Sequence, residues 1–227
     1  MAVMYVISID GACRRNGKPD CVSSGGVFIQ KFEADKCVDT IALARIDLNS
    51  TNQRGEIKAL ATALEWIKNN CGYATPIQII TDSEYIFNTM TKEWFIGWES
   101  RGWLTASGEP VKNADLWRKV YDLHKMCSEY YGVNYYHIKG HCISFGKVTA
   151  NRLLDEDDSG SKLLQEIYKK YDASLATKQD TFESAQELSY RNNGFRLPDN
   201  IFRNFVVANT MADAIATKEV DAADSQS

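Results

Sequence analysis

The chain has 227 residues, with 26 Lys or Arg against 30 Asp or Glu, and a formal net charge of -4 at pH 7. This length suits one compact domain with an insertion or a tail. Because the balance of charge is slightly acidic, overall charge does not attract a polyanion, and any nucleic-acid site must be local or assisted by a metal ion.

The cysteines are scattered without the CxxC spacing of a structural zinc site, and no signal peptide or long apolar span accompanies them. They are Cys13, Cys21, Cys37, Cys71, Cys127 and Cys142. The pattern predicts free thiols in a reduced, cytoplasmic compartment, with no structural zinc and no membrane segment.

The first part of the chain alternates strands and turns before its first long helix. Tyr5–Asp10, Gly26–Phe32 and Val38–Ile46 carry β-branched or aromatic residues, which predicts an antiparallel meander. Apolar residues then recur at helical spacing over Asn52–Asn70, which predicts an amphipathic helix packed on the sheet.

Two further strands and two further helices are predicted downstream. Pro76–Thr81 and Val133–Ile138 are rich in β-forming residues, whereas Ser83–Met90 and Leu116–Tyr131 have helical patterns. A strand that follows a helix packed on a sheet tends to pair parallel to an earlier strand. We therefore expect an α/β fold with a five-stranded mixed sheet flanked by helices.

Beyond His141 the pattern loosens. Helices are predicted at Ser159–Tyr171, Thr181–Tyr190 and Thr210–Lys218. The small, polar residues 217–227 are predicted to form a frayed tail.

Three carboxylates occupy positions that suggest a metal site. Asp10 is predicted at the end of one strand, Asp82 follows another, and Glu56 lies on the helix between them. Taken alone, Asp10 could be a turn aspartate, Glu56 a solvated helix residue and Asp82 a helix cap. If the three meet, they repel one another unless a cation compensates, and oxygen ligands without nearby Cys or His favour Mg²⁺ over Zn²⁺.

Five segments over residues 3–142 resemble, in order and spacing, the type 1 ribonuclease H family. They are IDGACRRNG, TNQRGEIKALATALE, IITDSEY, WESRGWLTASGEPVKNADLW and YHIKGH. The resemblance implies a ribonuclease H-like fold in which Asp10, Glu56 and Asp82 hold two Mg²⁺ ions, with Mn²⁺ as an alternative. It also implies hydrolysis of the RNA strand of an RNA/DNA hybrid.

The same resemblance implies two groups of substrate-binding residues. The first aligns with positions that contact the RNA strand and its 2′-hydroxyls: Cys13, Asn16, Thr51, Asn52 and Gln53. The second lies in an aromatic segment, Trp94–Asn113, that contacts the DNA strand in the family. Its members are Trp94, Trp98, Trp103 and Lys112. For the tryptophans, a packed aromatic cluster is the alternative interpretation.

The histidine of the KGH sequence is a further candidate. In the family this residue, His141 here, helps to protonate the leaving group or to release product. The alternative is a polar surface histidine. His124 and His137 have no such match and are interpreted as ordinary helix and strand residues.

The family's fourth carboxylate is not at its usual place. About ten residues after His141 the chain has Asn151, and an amide is a poor substitute for a metal-binding carboxylate. The sequence ANTMADAIA at Ala208–Ala216 is similar to the family's GNExAD pattern and supplies Asp213. We therefore favour Asp213 over Asn151 as the fourth acid.

This choice divides the chain into a catalytic core at 1–144, a mostly helical insertion at 145–205, a last core helix at 206–218 and a disordered tail at 219–227. The aromatic segment also has fewer lysines than is usual in the family, and Glu84 replaces a common glutamine. Fewer phosphate contacts and weaker hybrid binding are expected from these differences.

The sequence thus predicts a monomeric, metal-dependent endoribonuclease that leaves 5′-phosphate and 3′-hydroxyl ends. Asp10, Glu56, Asp82 and Asp213 are its predicted metal ligands, and its partner is an RNA/DNA hybrid. Two alternatives remain open. One is a hybrid-binding module with weak or no catalysis, and the other is a relative that cuts DNA.

Overall fold

The computed structural model describes residues 3–18, 20–34, 36–48, 50–142 and 179–225. Within these ranges a single sheet contains the strands β1 (Val3–Arg14), β2 (Val22–Glu33), β3 (Lys36–Leu48), β4 (Pro76–Thr81) and β5 (Gly132–His137). Their order is β3-β2-β1-β4-β5. The first three strands are antiparallel, and β4 pairs parallel to both β1 and β5.

The same ranges contain six helices. They are α1 (Asn52–Asn70), α2 (Glu84–Thr91), α3 (Trp94–Ser100), α4 (Ala114–Tyr130), α5 (Gln179–Asn193) and α6 (Asp199–Asp224). The predicted five-stranded mixed sheet with flanking helices is confirmed. The predicted helix at 159–171 lies outside the described residues.

The first face of the sheet is covered by α1 to α4. Side chains of α1 at helical spacing, such as Ile57, Leu60 and Leu64, are fully buried against sheet residues such as Ile7. Trp117 of α4 is also fully buried in this cluster. Burial of each large side chain contributes on the order of 1.5–3 kcal/mol, so this periodic apolar stripe fixes the face that α1 presents.

The second face is covered by α5 and α6. Phe202, Val207 and Met211 of α6 form a second buried cluster with Val6 and other sheet residues. Gly26 of β2 lies directly beneath α6, and a Cβ there would lie 2.7 Å from the backbone nitrogen of Ala216. A glycine at this position therefore lets the helix backbone rest on the sheet.

The last helix corrects two predictions. It runs unbroken from Asp199 to Asp224, so the helix predicted at 210–218 is present but extends further at both ends, and the frayed tail predicted from 217 is wrong as far as Asp224. Tertiary contacts explain the extra length. Val220 is fully buried, and Arg14 and Arg15 form ion pairs with Asp221 and Asp224.

Two further predictions need correction near the start of the chain. Asp10 does not end its strand, because β1 stays paired with β2 as far as Arg14. Cys13 and Cys21 are joined in a disulfide, since the β1–β2 turn brings the two residues together, whereas the other four cysteines are free. The expectation of free thiols is therefore wrong for this pair.

The aromatic segment contains a helix, α3, that the sequence pattern did not predict. In the part of the chain that the structure describes, no helix has the length and apolarity needed to cross a membrane.

Candidate active site

The parallel pairing of β1 with β4 brings two of the predicted acids to one end of the sheet. Ser8 lies beside Ile80 in the register, so Asp10 and Asp82 each come two residues later on neighbouring chain segments. Asp10 is only 7% exposed, and Asp82 is half-buried.

The third acid comes from α1, whose first turns approach β1 closely. A Cβ on Gly11 would lie 2.7 Å from the backbone nitrogen of Glu56 and 2.8 Å from its Cγ. Any larger residue at position 11 would therefore push α1 away. The glycine that follows Asp10 therefore allows Glu56 to lie against β1.

Both carboxylate oxygens of Glu56 accept hydrogen bonds. The Nδ2 amide of Asn52 donates to Oε1 at 3.0 Å, and the hydroxyl of Ser83 donates to Oε2 at 2.6 Å. Ser83 also caps α2, because its Oγ accepts a 3.4 Å hydrogen bond from the backbone nitrogen of Ile86. Glu56 is thus oriented by residues on both sides of the site.

The carboxyl groups interact electrostatically. Burial raises the pKa of Asp10 well above its usual value of 3.8, and the charges of Asp82, Asp213 and Glu56 raise it further. Burial also raises the pKa values of Asp82 and Glu56. The charge of His141 partly offsets the rise for Asp82, and the hydrogen bond from Ser83 partly offsets the rise for Glu56. Clustered carboxyl groups in a low-dielectric place raise one another's pKa in this way.

Asp213 reaches this cluster from α6. Gly26 pairs with Asp10 across the sheet, and a Cβ on Gly26 would meet the backbone carbonyl of the residue that precedes Asp213 on α6. The charge of Asp213 accordingly raises the pKa of both Asp10 and Asp82. The packing of α6 on β1 and β2 explains the approach. Asn151 lies outside the described residues.

His141 follows β5 in an exposed turn with a positive φ of 55°. Its charge lowers the pKa of Asp82, so the imidazole lies within electrostatic reach of that carboxylate. His137, the last residue of β5, is buried instead, and burial lowers its pKa.

The donor set fits a hard divalent cation. It consists of carboxylate oxygens whose pKa values are raised by burial and by one another, and a cation would relieve that repulsion. Within the described residues, no three His, Cys, Asp or Glu side chains have the arrangement of a ready metal site. Each carboxylate oxygen of Glu56 accepts one hydrogen bond and keeps a further lone pair that can bind a cation.

The predicted RNA-binding residues lie near Asp10 and at the start of α1. Asn16 is exposed in the β1–β2 turn, and Thr51 caps α1 through a 3.4 Å hydrogen bond from the backbone nitrogen of Arg54. The side-chain amide of Asn52 donates a hydrogen bond to Glu56, and Gln53 is half-buried. The thiol of Cys13 is engaged in the disulfide, so it is not free to donate to a substrate.

The aromatic segment both packs and reaches solvent. Trp98 is buried, with its ring centroid 6.3 Å from those of Trp94 and Trp103. Trp94 is 37% exposed, Trp103 is half-buried beneath the Arg118 guanidinium, and Lys112 is exposed. Trp98 therefore has the position of a packing residue, whereas Trp94 and Lys112 can reach a ligand.

Sequence reasoning missed two residues of this site. Ser83 follows Asp82 directly, and its position as the cap of a predicted helix was a signal that its hydroxyl would point towards the site. His137 was interpreted as an ordinary strand residue, yet its Nε2 lies 3.1 Å from the backbone oxygen of Asp82. No local pattern indicated that contact, because it depends on the pairing of β4 with β5.

Residues 3–157 match the family model described as RNase H. A ribonuclease H of Paracidovorax citrulli is 33% identical over 151 residues, which cover 66% of this chain and 91% of that protein. A ribonuclease HI of Pseudomonas aeruginosa is 40% identical over 115 residues, covering 51% of this chain and 69% of that protein.

The fold is also similar to a crystal structure of LC9-RNase H1, a type 1 RNase H with the type 2 active-site motif. The TM-score is 0.51 at 23% identity, covering 62% of this chain and 65% of that one.

The family match ends before α6 begins, so the place of Asp213 beside Asp10 depends on the geometry described above. The match covers more than half of the chain and includes Asp10, Glu56, Asp82 and His141. The chain therefore belongs to the ribonuclease H family and is a type 1 ribonuclease H enzyme.

Proposed function

We propose that this enzyme acts as an endonuclease on the RNA strand of RNA/DNA hybrids and depends on Mg²⁺ or Mn²⁺. One observation supports the proposal above all. Asp10 is a buried carboxylate at the end of the β1–β4 pairing, and its pKa is raised by burial and then by the charges of Asp82 and Asp213. A buried carboxylate among other acids is unfavourable for folding and is retained where a cation is bound.

Asp10, Glu56, Asp82 and Asp213 would hold two such cations. When bound, the cations lower the pKa of the attacking water and neutralise the charge that develops on the scissile phosphate. Ser83 and Asn52 orient the carboxylate of Glu56 through their hydrogen bonds and would hold it ready to bind a cation.

His141 would supply the proton that the departing 3′-oxygen needs. Its exposed position, close enough to Asp82 for the two charges to interact, is suited to a side chain that exchanges protons with solvent between turnovers. Attack on phosphorus with cleavage of the P–O3′ bond leaves a 5′-phosphate and a 3′-hydroxyl.

Recognition of the hybrid would use two surfaces. Asn16, Asn52 and Gln53 lie at the edge of the acid cluster, where the 2′-hydroxyls of the RNA strand distinguish a hybrid from DNA. Trp94 and Lys112 would contact the DNA strand. The enzyme would act as a monomer, with the set of proposed metal ligands complete within a single copy of the chain.

The test is cleavage of a hybrid whose RNA strand is end-labelled, in Mg²⁺ and in Mn²⁺. Asp10→Asn should abolish cleavage and leave the protein folded. Asp122→Asn, which changes an exposed acid on α4, is the matched control and should cleave at the wild-type rate. Full activity of Asp10→Asn would overturn the proposal.

The same assay separates the alternatives. Binding of the hybrid without turnover in either metal would indicate a binding module. Faster cleavage of duplex DNA than of the hybrid would indicate a DNA-cutting relative.

A further inference from the structure

The imidazole of His137 connects the active site to α5. The ring is buried, with the residue only 2% exposed, and both of its nitrogens have hydrogen-bonding partners. Nε2 lies 3.1 Å from the backbone oxygen of Asp82, and Nδ1 lies 2.9 Å from Nδ2 of Asn192 on α5.

These partners fix the tautomer of the ring. A backbone carbonyl only accepts hydrogen bonds, so Nε2 must carry the hydrogen and donate it to Asp82. Nδ1 is then an acceptor for the amide of Asn192. The ring therefore has one orientation that satisfies both neighbours, and Asn192 holds it in that orientation.

The backbone of His137 is held by the same helix. Its N–H donates to Oδ1 of Asn193 at 2.9 Å, and its carbonyl oxygen accepts from Nδ2 of Asn193 at 2.9 Å and from Oγ of Ser189 at 3.0 Å. Among the described strands β5 lies at the edge of the sheet, and no described strand pairs with these backbone groups. The polar side chains of α5 supply their hydrogen-bonding partners.

The carbonyl that His137 binds lies just beyond the sheet. The pairing of β4 with β5 ends at Thr81 and His137, so the next carbonyl, that of Asp82, is outside the ladder. The Nε2 of His137, on β5, donates a hydrogen bond to this carbonyl. The backbone of Asp82 is consequently fixed at the residue whose carboxylate is a proposed metal ligand.

The turn after β5 limits the carboxylate of Asp82 as well. A Cβ on Gly140 would lie 2.8 Å from Cγ of Asp82, so this glycine leaves just enough space for the acid. Asp82 is thus held at its backbone by His137 and bounded at its carboxylate by Gly140.

We propose that His137 is a positioning residue for Asp82 and that the metal affinity of the active site depends on α5, whose Asn192 and Asn193 hold His137 in place. The inference deepens the proposed function and rests on it, because it assigns Asp82 to the metal ligands. A merely structural role for His137 would change stability and leave metal affinity unchanged.

The decisive measurement is binding of Mn²⁺ by calorimetry without substrate, beside the Mg²⁺ concentration that gives half-maximal hybrid cleavage. His137→Phe keeps the size of the ring and removes both hydrogen bonds. It should weaken Mn²⁺ binding by about tenfold or more, as loss of groups that orient metal ligands does, and raise the Mg²⁺ requirement in parallel. The KM for the hybrid should stay near the wild-type value.

Two variants refine this result. His137→Gln retains an amide donor near the position of Nε2 and should recover most of the affinity. Asn192→Ala keeps the imidazole and its hydrogen bond to Asp82 and removes only the partner of Nδ1. It should therefore show a smaller loss of Mn²⁺ affinity. Asn134→Ala, which changes an exposed asparagine on the same strand, is the matched control.

Wild-type Mn²⁺ affinity in a folded His137→Phe protein would overturn the inference. If His137→Phe does not fold, Asn192→Ala decides, and wild-type affinity in that variant would likewise overturn it. Failure of the proposed function gives a different result, since a wild-type enzyme that does not cleave the hybrid can still show the calorimetric difference between the variants.

Discussion

The hydroxyl of Ser83, the residue just before α2, donates a 2.6 Å hydrogen bond to Oε2 of Glu56 on α1. The Oγ of Ser83 also caps α2 by accepting a hydrogen bond from the backbone nitrogen of Ile86. One side chain therefore stabilises a helix start and orients a proposed metal ligand, so a substitution should affect both properties.

Ser83→Ala should lower stability and weaken the active site together. Loss of the cap should cost about 1 kcal/mol in the free energy of unfolding. The hydrogen bond from Ser83 opposes the rise in the pKa of Glu56 that burial causes, so without it the pKa should rise further and activity should need a higher pH or more Mg²⁺. Chemical denaturation and pH–rate profiles measure the two effects.

Ser83→Thr is the control for this prediction, because threonine keeps the hydroxyl and can still cap α2. Identical pH–rate profiles for the alanine and threonine variants would show that the bond to Glu56 is not functional.

Removal of the charge at Asp10 should stabilise the metal-free protein at neutral pH. The folded-state pKa of Asp10 is raised by burial and by Asp82, so the carboxyl favours its protonated form in the folded state. Its contribution to stability is therefore fully present below the usual pKa of 3.8 and is lost as pH rises through the folded-state pKa. Asp10→Asn avoids this loss.

Thermal unfolding in EDTA should accordingly give a higher Tm for Asp10→Asn than for the wild type at pH 7, by about 2–4 °C for each kcal/mol of stabilisation. The difference should shrink as the pH is lowered towards 4. Mg²⁺ should raise the Tm of the wild type more than that of the variant, because it binds the folded state. A lower Tm for Asp10→Asn under all of these conditions would contradict the assignment.

The disulfide between Cys13 and Cys21 should stabilise the turn that carries Asn16. The two cysteines are eight positions apart, and closing a loop of this size restricts the unfolded chain by about 2–3 kcal/mol. Cys21→Ser should lower the free energy of unfolding by this amount without reductant, lower the Tm accordingly, and make the Tm insensitive to dithiothreitol. Mass spectrometry of unreduced peptides, with Cys37→Ser as the control, checks the linkage directly. Alkylation of both thiols in the native, unreduced protein would contradict it.

Local patterns predicted the parts of the fold that repeat along the chain. The helical spacing of Ile57, Leu60 and Leu64 predicted α1, and the carboxylates that follow apolar strand residues made Asp10 and Asp82 candidates, although β1 continues beyond Asp10. These features depend on residues that are close together in the sequence, so a single sequence is enough to predict them.

Features that depend on distant contacts were not predicted. Residues 219–224 have no strong apolar period, and they are helical because Val220 is buried and Asp221 pairs with Arg14 on β1. Asp10 continues its strand because β2 supplies partners up to Arg14. The cysteine spacing predicted no disulfide, since only the β1–β2 turn brings Cys13 to Cys21.

Asp213 is the proposed fourth metal ligand of the active site. The charge of Asp213 raises the pKa of Asp10 and of Asp82, whereas Asn151, at the family's usual position, lacks a charge. Asp213→Asn should therefore reduce kcat for hybrid cleavage by about tenfold or more, with little change in KM, because the ligand acts on the metal and not on substrate contacts.

Glu219→Gln, on the same helix, is the control for a loss of negative charge from α6 and should leave kcat unchanged. Asn151→Ala tests the competing position and should also leave it unchanged. Steady-state kinetics in Mg²⁺, with thermal unfolding to confirm that each variant is folded, measures all three. A large loss of kcat in Asn151→Ala together with wild-type kcat in Asp213→Asn would place the fourth ligand in the segment directly after β5 and remove α6 from the active site.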